Sequence, residues 1–217
     1  MPLFAGAPIR ALGESIMMFF RLALLVLLFA PGAMAQTSSE NWLTDSRTGC
    51  KVVRAYKANN PNVAWSGGCT EGLASGKGTA RWTSENGRID QYEGEMRGGR
   101  KNGHGIYLFI SGSPYAGDRY EGGFVDDEYE GRGVYLWKSG ARYEGQVSKG
   151  LFSGQGTQTW PNGDRYVGQW SNDVANGQGT KTLPDGRTYT GVWTNGCFRQ
   201  GDRWATVGAS AEKCGFK

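Results

Sequence analysis

The fold is decided by a short segment, Tyr143-Glu144-Gly145-Gln146-Val147, in which aromatic, small or apolar residues alternate with polar ones. The same pattern begins again 23 residues later, at Tyr166. An alternation with a period of two is typical of a β-strand that turns one face to the core and the other to solvent. Its return at a fixed interval predicts a repeat protein.

Units of this kind extend in both directions along the chain. Each begins with an aromatic residue, and five of the six carry glycines 11 and 13 residues later and an apolar residue at position 17. The starts are Trp65, Tyr92, Tyr120, Tyr143, Tyr166 and Tyr189. The last four starts are 23 residues apart, and the array is predicted to occupy residues 65–195.

Each unit is predicted to form a β-hairpin. Its second strand places both glycines and the residue at position 17 on one face, since side chains alternate along a strand. Pro161-Asn162-Gly163 and Pro184-Asp185-Gly186 then turn the chain into the next hairpin, because proline presets one turn dihedral and glycine accepts positive φ. No long helical period follows Gln36, so the fold class is all-β.

From about Trp65 to Trp193, the chain resembles the MORN-repeat family. The resemblance lies in the order of motifs within each unit: Y-E-G, then G-x-G, then an aromatic residue and a P-[ND]-G turn. The resemblance implies an elongated, single-layer antiparallel sheet of stacked MORN β-hairpins. It also implies roles in scaffolding, membrane association and protein assembly. The unit at Tyr189 departs from the pattern, since Gln200 and Asp202 replace its glycines. Such a change is expected where an array must close an exposed sheet edge.

The four cysteines lie near the two ends of the array. An even number of cysteines in an exported protein is typical of disulfides, and four allow three connectivities. Sequence neighbours are 19 and 17 residues apart, which favours Cys50–Cys69 and Cys197–Cys214. A zinc site is disfavoured because C-x-x-C spacing and histidine partners are missing. We therefore expect an N-terminal cap over residues 36–64 and a disulfide-closed C-terminal cap over 196–217.

The first 35 residues are predicted to be a secretory signal peptide. Arg21 precedes the uninterrupted apolar run Leu22–Ala30, which is shorter than the roughly 20 residues that a bilayer span needs. Ala33-Met34-Ala35 then fits an A-x-A cleavage site. The sequence thus predicts export to the periplasm or outside the cell, with cleavage after Ala35. Candidate initiators are Met1, Met17 and Met18.

Composition argues against several classes of function. The net charge of +4 on 217 residues is too mild to indicate a nucleic-acid partner. The single histidine, His104, occupies a slot that other repeats fill with Lys77, Arg132 or glutamine, so it is expected to face solvent. No G-x-S-x-G motif is present, and a hydrolase is the weakest hypothesis. The sequence therefore predicts no catalytic residue, no metal ligand and no cofactor.

A strip of aromatic and apolar side chains is the main candidate binding face. Period two places the repeat-opening rings on one side of the sheet, and a single sheet has no second layer to cover them. An uncovered apolar strip marks a binding surface, so a protein partner or a second copy is expected there, with a glycan as an alternative. The residues of this aromatic strip are Tyr92, Tyr120, Phe124, Trp137, Tyr143, Trp160, Tyr166, Trp170, Tyr189 and Trp193.

Two smaller features point to other partners. Arg119, Arg142 and Arg165 precede three opening tyrosines, and two strands per repeat would space these arginines roughly 10 Å apart. Such a basic column could bind anionic lipid or an envelope glycan. Alternatively, each arginine pairs with the glutamate two residues later in the chain, and the column is then only an exposed ladder of ion pairs. The apolar tip Leu151-Phe152 is expected either to insert into a partner or a membrane surface, or to fold back on an adjacent hairpin.

Overall fold

The computed structural model describes residues 42–56 and 61–216, and the predicted signal peptide lies outside these ranges. The described residues form sixteen β-strands and no helix. The strands are β1 Trp42–Thr44, β2 Lys51–Val53, β3 Asn62–Trp65, β4 Gly68–Thr70, β5 Leu73–Thr83, β6 Ile89–Arg97, β7 Arg100–Ser111, β8 Arg119–Val125, β9 Glu128–Leu136, β10 Arg142–Ser148, β11 Leu151–Thr159, β12 Arg165–Ser171, β13 Val174–Thr182, β14 Thr188–Trp193, β15 Cys197–Gln200 and β16 Arg203–Thr206. Over the same ranges, no helix long and apolar enough to cross a membrane is found.

Fourteen of these strands form one sheet. From β5 to β14, each strand pairs antiparallel with its neighbours in the chain, so the hairpins follow one another without a crossover. At the N-terminal end, β3 and β4 both pair with β5, and a single parallel contact between Lys51 and Leu73 joins β2 to β5. β15 and β16 form a separate hairpin. The all-β, antiparallel fold of stacked hairpins predicted from the sequence is confirmed.

Each hairpin bends at its glycines, and the two glycines of the pair act differently. In the unit that opens at Tyr143, the ladder skips Gly154 and Gln155 between two paired positions. Gly154 has φ +56°, in the left-handed region that glycine enters without strain. Extra residues on one strand form a bulge, which bends that strand and increases its twist. The first glycine of the pair therefore makes the bend.

The second glycine makes room for the opening tyrosine. A Cβ atom at Gly156 would lie only 2.5 Å from the hydroxyl oxygen of Tyr143, so the phenol ring rests directly on the glycine backbone. The Tyr143 hydroxyl reaches across the bend and donates to the C=O of Gln146 at 2.7 Å. The same bond to the carbonyl three residues on is made by Tyr92, Tyr120 and Tyr166.

The bend folds the tip half of each hairpin over its opening half. Tyr129 pairs with Phe124, which is four residues after Tyr120 on the opening strand. If that strand were straight, at 3.3 Å per residue, Phe124 and its partner would lie about 13 Å along the strand from Tyr120. The rings of Tyr120 and Tyr129 are nevertheless stacked, with centroids 3.8 Å apart. The side of the sheet that carries the opening tyrosines, called the inner face below, thereby encloses the core.

Two-residue turns close the hairpin tips. Asp126-Asp127, Lys149-Gly150 and Asn172-Asp173 all have positive φ, as type I′ turns require. The tips also bond to the preceding hairpin: Gly150 donates its backbone N–H to Tyr129 O at 3.0 Å, and Asp173 donates to Phe152 O at 3.2 Å. The tip halves are therefore joined along the array and form a second layer over the tyrosines.

Both predicted disulfides are present. Cys50 is bonded to Cys69 and Cys197 to Cys214, with Cα atoms 5.7 Å apart in each pair. The first bond ties the start of β2 to β4, and the second ties β15 to the C-terminal segment. The described residues contain no free cysteine. Such full pairing is typical of proteins in an oxidising compartment.

Candidate functional site

The aromatic strip lies mainly inside the protein. Seven of its ten residues are buried: Tyr92, Tyr120, Phe124, Tyr143, Tyr166, Trp170 and Trp193. The structure differs here from the expectation of an uncovered strip, because that expectation assumed a flat sheet. The bend at the glycines and the bonded tip halves supply the second layer that a flat sheet lacks. These seven side chains pack the repeats together and present no surface to a ligand.

The other three members, Trp137, Trp160 and Tyr189, lie half-buried at the margin of the core. Trp137 packs on Phe152, with ring centroids 5.7 Å apart. The Lys181 ammonium lies 5.7 Å from the ring centroid of Trp160, and the Arg203 guanidinium lies 5.2 Å from that of Tyr189. Each of these rings is thus partly covered by a neighbouring side chain.

The apolar tip also differs from a free loop. The turn consists of Lys149 and Gly150, so Leu151 and Phe152 already belong to β11. Phe152 is buried and stacks on Tyr143, whereas Leu151 is half-buried. The geometry supports folding back on the array rather than insertion into another surface.

The opposite side of the sheet, called the outer face below, is the surface that the array leaves free. Strand pairing aligns its side chains in two rows across the hairpins. The first row is Glu93, Ile106, Glu121, Val134, Glu144, Thr157, Val167, Thr180 and Thr190. The second row is Gln91, Leu108, Arg119, Leu136, Arg142, Thr159, Arg165, Thr182 and Thr188. None of these residues is buried.

The predicted basic column lies in the second of these rows, and two of its arginines are paired. Arg119 contacts Glu121, and Arg142 contacts Glu144, each with an N–O distance of 2.6 Å. The hydrogen bond and charge of Arg119 lower the pKa of Glu121. Arg165 has Val167 in place of a glutamate, and it makes no ion pair within the described residues. The column is therefore largely neutralised by its own glutamates.

Aliphatic side chains stand between these charged columns, and the sequence interpretation missed them. Ile106, Leu108, Val134 and Leu136 come from the second strand of their hairpins, and Leu136 is 39% exposed. They occupy positions 14 and 16 of the repeat, two residues apart on the second strand. Comparing those two positions between repeats would have revealed the columns.

The outer face consequently has two zones. The mixed zone, from β6 to β10, alternates aliphatic columns with columns of glutamate and arginine. The threonine zone, from β11 to β14, carries uncharged side chains at most positions of the two rows. Its threonines are Thr157, Thr159, Thr180, Thr182, Thr188 and Thr190.

Charged and phenolic groups inside the protein have structural partners. Lys101 is buried, with its ammonium 2.9 Å from Asp127 and 5.4 Å from the ring centroid of Trp82. The Tyr107 hydroxyl donates to the buried carboxylate of Asp90 at 3.0 Å. Burial, reinforced by the charge of Asp90, raises the pKa of Tyr107 well above its usual value. This phenol therefore stays neutral and acts as a hydrogen-bond donor rather than as a nucleophile.

His104 lies exposed on β7, opposite Gly123 of β8. Within residues 42–56 and 61–216, no three or more His, Cys, Asp or Glu side chains are grouped as a metal site would require.

The repeat pattern matches a known family. The MORN-repeat model matches residues 92–113, 120–142, 143–165 and 166–186, and all four matches begin at opening tyrosines. No curated protein sequence matches the chain significantly. MORN repeats generally act as binding scaffolds without enzymatic activity. Together with the hairpin geometry, these matches identify residues 92–186 as an array of MORN repeats, a type of repeat that generally serves as a binding scaffold.

Proposed function

We propose that the protein is an exported, non-enzymatic scaffold that binds a protein partner through the mixed zone of its outer face. One observation carries this proposal: the mixed zone alternates aliphatic and ion-paired columns on a surface that the other residues of 42–56 and 61–216 leave uncovered. Protein interfaces combine an apolar centre with polar groups that fix orientation, and they are enriched in arginine. The columns around Leu136, Arg119 and Arg142 supply both components.

The charge of the mixed zone favours a protein over an anionic membrane. Attraction to anionic lipid needs clustered, unpaired basic residues. Arg119 and Arg142 are neutralised by Glu121 and Glu144, which leaves Arg165 alone in the column. A partner with both charge signs can instead exchange or share these ion pairs.

The burial of the aromatic strip gives less support to a glycan partner. Sugar rings stack on exposed aromatic faces, but most rings of the strip are enclosed by the bend and the tip halves. The outer face offers aliphatic side chains, hydroxyls and ion pairs in place of rings.

Two features support export: a signal-like segment near the N-terminus and the two disulfides. The apolar run Leu22–Ala30 and the Ala33-Met34-Ala35 site are typical of a secretory signal. The two disulfides suit an oxidising compartment. The partner is therefore expected among other exported or envelope proteins.

A crosslinking experiment tests the proposed surface. A photo-reactive residue replaces either Leu136 of the mixed zone or Val167 of the threonine zone, which are 39% and 37% exposed. In extracts of the exported fraction of the source organism, we expect a protein adduct from position 136 and none from position 167. Leu136→Lys should abolish capture of that protein, and the matched variant Val167→Lys should leave it intact.

Binding to vesicles provides the opposing outcome. Salt-sensitive retention on anionic vesicles that is lost in Arg165→Ser and kept in Leu136→Lys would favour the membrane alternative. Equal adducts from both crosslinking positions would show that the mixed zone has no special role.

A further inference from the structure

Two ion pairs of the mixed zone share one geometry but have different neighbours. The β8 pair is Arg119 with Glu121, and the β10 pair is Arg142 with Glu144; the N–O distance is 2.6 Å in both. In each pair, Nη2 of the arginine donates to Oε2 of the glutamate two residues later. Any difference between the two pairs must therefore come from the strands beside them.

Aliphatic side chains enclose the β8 pair on both sides. Each of its two residues lies opposite one aliphatic residue of β7 and one of β9. These four neighbours, called the aliphatic frame below, are Ile106, Leu108, Val134 and Leu136. The frame shelters the pair from water, and the arginine and glutamate side chains are 34% and 40% exposed.

The β10 pair has aliphatic neighbours on one side only. β9 faces it with Val134 and Leu136, but β11 faces it with Thr157 and Thr159. Its arginine and glutamate side chains are more exposed, at 42% and 50%. Interface hot spots are enriched in arginine and lie near the centre of a patch, where the surrounding contacts exclude water. The β8 pair fits this description better than the β10 pair.

A partner that covers the aliphatic frame must also cover the β8 pair. Burial of an ion pair is repaid only when further hydrogen bonds satisfy its remaining donors and lone pairs. Arginine has five N–H donors, and among the described residues Arg119 donates only to Glu121. Oε1 of Glu121 accepts no hydrogen bond from those residues. The partner must therefore bring an acceptor to Arg119 and a donor to Glu121.

Two opposite charges meet both needs and keep the covered site neutral. A lone carboxylate at Arg119 would add an unbalanced negative charge where water is excluded, and a lone cation at Glu121 would add a positive one. We propose that the β8 pair is the centre of the interface and that the partner presents an ion pair in reversed order, with a carboxylate at Arg119 and a cation at Glu121. Apolar side chains of the partner then cover the aliphatic frame. This inference rests on the proposed function, since it specifies the partner of the same surface.

A charge swap tests the order of the charges. The double variant Arg119→Glu, Glu121→Arg keeps the net charge and an ion pair within β8 but reverses its direction. In the capture experiment from position 136, which lies opposite Arg119 and Arg142 alike, we expect capture to fall by about tenfold or more, because each partner charge then meets a like charge. The matched swap Arg142→Glu, Glu144→Arg should lower capture by about threefold or less, since that pair is more exposed.

Rescue by the partner makes the test specific. The peptide of the captured protein that is linked to position 136 should contain an acid and a base flanked by apolar residues. Exchanging these two residues in the partner should restore capture by the swapped chain and abolish capture by wild type. Thermal unfolding checks that each variant is folded, and little change is expected because the swapped side chains stay on the surface. A partner exchange that fails to restore capture overturns the inference.

Failure of this inference can be told apart from failure of the proposed function. If Leu136→Lys leaves capture intact, the mixed zone is not the interface and both are wrong. If Leu136→Lys abolishes capture while both swaps leave it intact, the surface stands and the reversed ion pair is wrong. Equal losses from the two swaps would mean that the β8 pair is not the centre. An adduct with a second copy of this chain would assign the surface to self-association and overturn the inference.

Discussion

Phe152 stacks face to face on Tyr143, with ring centroids 3.7 Å apart and ring planes 11° apart. The two residues lie on opposite sides of the glycine bend, so this contact holds the tip half of the hairpin against its opening half. Trp170 of the next hairpin meets the Tyr143 ring edge-on at 5.3 Å. A single stack therefore fixes the bend and joins neighbouring repeats.

Loss of this stack should destabilise the array. Phe152→Ala is expected to lower the free energy of unfolding by about 3–5 kcal/mol, as for other buried phenylalanines. Urea unfolding measures the change, and Leu151→Ala is the control because Leu151 is only half-buried. If Phe152→Ala kept wild-type stability but lost binding to vesicles, Phe152 would be an insertion residue rather than a core residue.

The two glycines of one pair should respond differently to substitution. Gly133→Ala places a Cβ about 2.5 Å from the Tyr120 hydroxyl and should cost about 1–3 kcal/mol through overpacking. Gly131 has φ +80° and open space around it, so Gly131→Asn should cost less, since asparagine accepts that conformation. Unfolding midpoints in urea compare the two. A larger loss in Gly131→Asn would mean that the bend, and not the tyrosine contact, limits stability.

The hairpins and the two disulfides could be predicted from the sequence because their signals are local. Period-two alternation, glycine spacing and cysteine spacing all act over a few residues or between sequence neighbours. The curvature of the sheet could not be predicted in the same way. The curvature depends on positive φ at the first glycine of the pair. It also depends on the residue nine positions after the opening aromatic residue, because that side chain enters the core only when the hairpin bends. Phe152 therefore looked like a loop residue.

The expected exposure of the aromatic strip failed for the same reason. A flat sheet exposes its aromatic side, whereas the bent sheet encloses that side and exposes the other. Alternation along β9 places Tyr135 and Leu136 on opposite faces of the sheet, but it does not say which of the two faces is covered. The repeat-phased Leu108 and Leu136 carry the signal that was overlooked, because aliphatic residues recur there without a core to fill.

Mature protein is expected to begin at Gln36, since the A-x-A site ends at Ala35. Intact-mass measurement of exported material, without reduction, should give the mass of residues 36–217 with two disulfides closed. Reduction should then add the mass of four hydrogens, one for each cysteine in the two bonds. Exported protein that still carries residues from before Ala35 would contradict the predicted cleavage.

Asp45 should make the N-terminal cap sensitive to acid. Burial alone would raise the pKa of this carboxyl, but N–H groups of Trp65 and Arg47 and the Arg47 guanidinium hold it at about 2. Its contribution to stability is therefore present above the ordinary value of 3.8 and is lost as pH falls towards 2. The difference in unfolding free energy between wild type and Asp45→Asn should shrink over that range. A constant difference would show that the charge of Asp45 is not involved.

Asp173 should show the opposite dependence. Burial raises the pKa of this carboxyl above 3.8, and the hydrogen bond from the Phe152 N–H offsets only part of that increase. A raised pKa favours the folded state when the group is protonated, so the contribution is present below pH 3.8 and is lost as pH rises through the folded-state value. Asp173→Asn keeps an oxygen for the 2.8 Å bond from Phe152 N but cannot ionise. Urea unfolding at acidic and neutral pH should show wild type losing stability relative to Asp173→Asn as pH rises. If wild type gains relative stability instead, the bond to Phe152 outweighs burial and the direction assigned to this pKa is wrong.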